Sequence, residues 1–127
     1  MDSASQAAGA LLVSLNRALE LFTELHHPFV RSRAFSHLIP PAGATAGTVF
    51  TLPDGREVLF SVAIRQEGNA FAVDATAAVE EKNLLTLPRR SAPDIHSALN
   101  LLESYLAEVV DSSRRLVDDL LDEVAGQ

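Results

Sequence analysis

Midway along the chain the spacing of apolar residues changes from three- and four-residue steps to alternation, and back again near residue 92. No single motif restricts the fold as much as that double change of period. On the N-terminal side, Ala8, Leu11, Leu12, Leu15, Ala18, Leu19, Phe22 and Leu25 form one stripe behind a Ser3/Gln6 capping box. Pro28 biases His27 away from helical geometry, so the spacing predicts a helix over 4–26.

The alternating stretch is organised by Leu52-Pro53-Asp54-Gly55-Arg56, the pattern of a type I turn with a glycine bulge. This turn pairs Leu52 with Arg56, Phe50 with Val58 and Thr48 with Phe60. Val58, Phe60, Val62 and Ile64 then share one face. A second turn around Glu67-Gly68-Asn69 returns Phe71, Val73, Ala75, Ala77 and Val79 to that same face. Two turns that keep the apolar rows in phase predict an antiparallel meander. Residues 83–87 are a candidate fourth strand. Residues 28–46 read as irregular, and 40–47 read as a small-residue loop.

Helical spacing resumes at Ile95, Leu99, Leu102, Leu106, Val109, Ser113, Leu116 and Leu120. Ala98, Tyr105, Val117, Leu121 and Val124 widen the stripe, and Ser91, Pro93 and Asp94 mark its start. The expected fold is α+β, one α-β-β-β-α domain over 1–127: a two-layer sandwich with an N-terminal helix, a three- or four-stranded antiparallel meander and a long C-terminal helix, both helices on one sheet face. At 127 residues the chain has room for one domain with its own core.

A helix from 92 to about 124 is ~50 Å long, whereas a nine-residue strand spans ~30 Å. Leu116, Val117, Leu120, Leu121 and Val124 would then project past the sheet. Exposing them forgoes about 1.5–3 kcal/mol each. The first helix, a bend at Ser112-Ser113-Arg114-Arg115, or a second chain must cover them. The third solution, most simply a homodimer, motivates an interaction protein.

Charge leans the same way. Residues 91–127 hold eight acids against Arg114 and Arg115, and so carry six of the seven net negative charges. A partner site of Tyr105, Leu116, Leu120 and Leu121 for apolar contact, with Asp118, Asp119, Asp122 and Glu123 for steering, follows from that stripe. The arginine pairs Arg31/Arg33 and Arg89/Arg90 would meet either an anionic ligand or the acidic helix of the same or a neighbouring subunit. The second sheet face (Leu59, Ser61, Ala63, Ala70, Ala72, Asp74, Thr76, Ala78) is small and weakly polar, which permits close approach of a partner.

Signals for chemistry are sparse. His26, His27, His37 and His96 make no i, i+4 pair, the chain has no cysteine, and no phosphate loop or nucleophile elbow occurs. No cofactor or metal is expected. A net charge of −7 argues against a nucleic-acid partner. No apolar run suggests export or a membrane span, so a cytoplasmic protein is expected. Nine Arg against the single Lys82 is a usage common in GC-rich bacterial genomes.

The helix–meander–helix order is similar in topology to small, acidic, homodimeric secretion chaperones, without a counterpart of their second helix-and-strand segment. The preferred function is therefore a non-enzymatic protein-interaction module, adaptor- or chaperone-like, that binds a partner protein through its sheet face or acidic C-terminal helix. The alternative is a small-ligand site or enzyme between residues 40–47, the end of the first helix and the sheet, served by His26, His27, Arg33, His37 and Asp74.

Overall fold

The computed structural model describes residues 3–25, 27–28, 30–39 and 43–126, with side chains of the first helix described from Gly9 onward. The chain runs α1 (Ser3–Glu24), β1 (Arg31–Ile39), β2 (Gly43–Thr51), β3 (Glu57–Glu67), β4 (Ala70–Val79), β5 (Lys82–Ala92) and α2 (Ile95–Ala125). The five strands pair in sequence order, every neighbour antiparallel. Both helices lie on one sheet face: α1 over β1 and β2, α2 over β3, β4 and β5, and the helices touch side by side. The α+β sandwich read from the periodicity is the observed architecture.

Between the helices and the sheet, Val58, Phe60, Val62 and Ile64 of β3 meet Val73, Ala75, Ala77 and Val79 of β4, all buried. The Leu52–Arg56 turn holds these rows in phase. Its Leu52 N–H donates to Arg56 O at 2.8 Å, and Gly55 takes φ +93°, a conformation that favours glycine. The predicted pairs Phe50↔Val58 and Thr48↔Phe60 are observed. At the next turn the two-residue loop is Gly68-Asn69, so Asp74 lies opposite Ala63.

The sheet has five strands, not three or four. The 28–46 stretch read as irregular contains β1 and the start of β2, and the small residues 43–47 are strand, not loop. Their smallness has a packing cause. A Cβ on Gly47 would run into the Phe60 carbonyl oxygen and come within 2.7 Å of the Phe35 ring, while Ala44 and Ala46 are buried beneath α1. The weak fourth strand at 83–87 extends over Lys82–Ala92. Ser91 therefore belongs to β5, and Asp94 is the N-cap of α2, accepting from Ser97 N–H at 2.8 Å. That hydrogen bond first, and the Ser97 hydroxyl after it, hold the Asp94 carboxyl below the usual carboxylate range.

These boundaries shorten the overhang of α2. α2 is continuous through Ser112–Arg115, and its 31 residues span about 46 Å. β3 and β5 have 11 residues each, about 37 Å. The excess is about half that expected, and the chain itself covers it. Val117 and Leu120 are buried, and Leu116, Leu121 and Val124 are half-buried. Beside them α1 packs along α2. Within the chain Val117 and Leu120 thus find cover, while Leu116, Leu121 and Val124 keep part of their surface open.

Candidate interaction surface

Tyr105 and Leu120 are buried in the core, so neither is available as a partner contact on the chain's own surface. The Tyr105 hydroxyl donates to the Pro88 carbonyl and pins α2 to β5. Asp118 is half-engaged within the chain: its Oδ1 lies 2.6 Å from Nε2 of the buried His27, and Arg114 approaches its other oxygen at 3.7 Å. Asp119, Asp122 and Glu123 remain exposed on the outer side of α2. Arg89 pairs with Glu67 at the end of β3, not with the acidic helix.

Of the five residues of the alternative pocket, the four that are described do not converge. His26 lies outside the described residues. His27 sits on the helix side of the sheet against Asp118. Arg33 and His37 stand on β1 on the opposite face, and Asp74 is on that face of β4, three strands or about 14 Å away. Residues 43–47 are paired on both sides by β1 and β3. Among the described residues no group of three or more His, Asp or Glu is arranged to hold a metal ion, and no helix is long and apolar enough to cross a membrane. The void enclosed by Leu11, Leu15, Ala18, Ala44, Ala46, Val62, Ile64 and Leu102 is apolar and about the size of one water.

What the fold does leave open is the other face of the sheet. Register alone sorts its residues. Phe35 of β1 stands over Gly47, which neighbours Ser61. One row along, Val49 pairs with Leu59, which pairs with Ala78. Phe35 and Val49 are half-buried, and Leu59 is 39% exposed, the one large apolar side chain of this face so open among the described residues. Toward β4 the face flattens to Ala63, Ala72, Asp74, Thr76 and Ala78. The surface thus has an apolar ridge on β1–β3 beside a floor of small residues, with Arg33, His37 and Glu57 at its margin. An apolar centre with a charged rim is the anatomy of a protein interface. The composition of this face was legible in the alternation. Val49 opposite Leu59 follows from the Leu52–Arg56 turn, but Phe35 was not legible, because its place in the ridge depends on the pairing of β1 with β2.

Comparisons with family models, curated proteins and solved structures find no match to this chain.

Proposed function

We propose that the protein is a non-enzymatic interaction module, adaptor- or chaperone-like, that works as a homodimer closed through the free faces of its two sheets. The observation that carries this reading is the one-sided sheet: two helices cover one face, and the other presents the Phe35–Val49–Leu59 ridge beside a floor of small residues.

A two-fold axis along β3 matches the apolar ridge to the small floor and leaves the exposed Glu57, Arg65 and Glu67 at the two ends of the strand, at the wet rim of the contact. It sets Leu59 against its own copy, Val49 over Ala78, and the bulky β1–β2 side over the small β4–β5 side. Five strands at ~4.8 Å spacing and about ten residues long present roughly 800 Å², the area that each partner of a standard interface buries. Aligned sheets pack about 10 Å apart, close enough for alternate large and small side chains to interdigitate. A cytoplasmic site of action belongs to the same proposal, and the exposed acids Asp119, Asp122 and Glu123 are left to the outer surface of the dimer.

The test is the mass of the full chain by light scattering, beside the Leu59→Arg variant. Wild type should show twice 13.6 kDa at high and low salt, since the contact is apolar. Leu59→Arg places two like charges at the axis and should give monomer with an unchanged far-UV spectrum. A wild-type chain that stays at the single mass as concentration rises contradicts the proposal.

A further inference from the structure

The two edges of the sheet are built differently. β5 carries Lys82, Pro88, Arg89 and Arg90, and its pairing with β4 is broken by two register irregularities. Proline, charge and bulges are the usual means of blunting an edge against further strands. The opposite edge is regular. β1 pairs with β2 over nine consecutive residues without a bulge or a proline. Its outer main-chain N–H and C=O groups form an uninterrupted row.

The side chains of β1 fall into two unlike rows. On the free face stand Arg31, Arg33, Phe35 and His37, with both arginines exposed. Neither arginine makes an ion pair among the described residues. On the helix side stand Ser32, Ala34, Ser36 and Leu38, and Leu38 is 59% exposed.

From these observations we infer that β1 captures an extended segment of another protein as a sixth strand. The segment is acidic at alternate positions, facing Arg31 and Arg33, and apolar at the positions between, facing Leu38 and the small residues beside it. Main-chain hydrogen bonds supply affinity, and the alternating side chains supply selectivity. A second copy of β1 is a poor occupant: the strand contains no acid, so no register sets a carboxylate opposite either arginine. The inference does not rest on the free-face dimer: there β1 contributes its face through Phe35, whereas a sixth strand pairs with its outer main-chain edge.

The probe is a nine-residue peptide of alternating Val and Glu, capped at both ends, titrated into the full chain and followed by fluorescence anisotropy and amide hydrogen exchange. Binding should be saturable, weaken with salt, and slow exchange at alternate amides of β1. Arg31→Glu/Arg33→Glu should weaken it by about tenfold or more, the effect of reversing two exposed ion pairs, and Arg31→Gln/Arg33→Gln by less. Both variants should keep the wild-type melting curve. Leu59→Arg should leave peptide binding unchanged, which separates this inference from the dimer. Absence of binding overturns it, as does equal binding of a Val-Lys peptide, protection outside β1, or indifference to the arginine substitutions. Tighter binding of an oligonucleotide without β1 protection would assign the arginines to phosphate instead.

Discussion

The His27 Nε2 atom lies 2.6 Å from Asp118 Oδ1 and ties the segment after α1 to the C-terminal half of α2, 91 residues away in sequence. The His27 side chain is 3% exposed and that of Asp118 49%, so the contact is closed on one side and wet on the other. It holds that segment against the stretch of α2 that carries the buried Val117 and Leu120.

His27→Ala should therefore destabilise the chain by about 1–3 kcal/mol, the usual cost of deleting one partner of a buried hydrogen bond. Asp118→Asn should cost less, because the amide oxygen still offers the buried His27 ring an acceptor. A double-mutant cycle by urea denaturation checks this. Additive losses from His27→Ala and Asp118→Ala would show that the two residues do not act as a pair.

Gly47 is the close-approach point of the sheet, beneath the Phe35 ring and against the Phe60 carbonyl. Gly47→Ala should lower stability by about 1–3 kcal/mol through overpacking. Because one of the two neighbours is backbone, Phe35→Ala should not restore it. Recovery in the double variant would place the whole strain in the ring.

Tyr105 spends its hydroxyl on the Pro88 carbonyl inside an otherwise apolar contact. Tyr105→Phe should cost about 0.5–1.5 kcal/mol in thermal denaturation, with the far-UV spectrum unchanged. No loss would mean that water replaces the tyrosine at Pro88.

Two carboxylates predict the acid limb of the stability profile. Asp94 accepts from Ser97 N–H, and Asp54 first from the Arg56 N–H and then from its guanidinium, and each carboxyl is held below the ordinary aspartate value. A native pKa below the unfolded one means that the contribution is complete above the ordinary aspartate pKa and is lost as pH falls through the native value. Asp94→Asn retains a cap but removes the charge. Its urea midpoint should depend less steeply on pH in the acid range than that of wild type, and parallel profiles would contradict the assignment.

The parts of this fold written in local chemistry were legible in the chain. Pro53 and Gly55 specify a turn whose bulge sets the register of β2 on β3, and the alternation from Val58 to Val79 then follows. β1 was not legible, because Arg31, Ser32, Arg33 and Ser36 put polar residues on both of its rows, as an edge strand allows. The Gly43–Gly47 stretch reads as loop by composition. It is strand because Phe35 and α1 demand small residues there, and that demand comes from neighbours distant in sequence. The expected overhang of α2 was too large for the same reason: strands two residues longer and a helix that begins three residues later shrink it by about half. Of the residues proposed for binding, Tyr105 and Leu120 lie in the core, whereas the ridge is completed by Phe35, which only the pairing of β1 places beside Val49 and Leu59.

The central claim is that the free face of the sheet meets its own copy at Leu59. The chain has no cysteine, so Leu59→Cys introduces a single thiol, and a short bismaleimide reports directly on that meeting. The account predicts rapid, concentration-independent formation of a covalent dimer from Leu59→Cys, and little from Val13→Cys on the exposed side of α1. A Leu59→Cys chain that stays single, or that cross-links no faster than Val13→Cys, would contradict it.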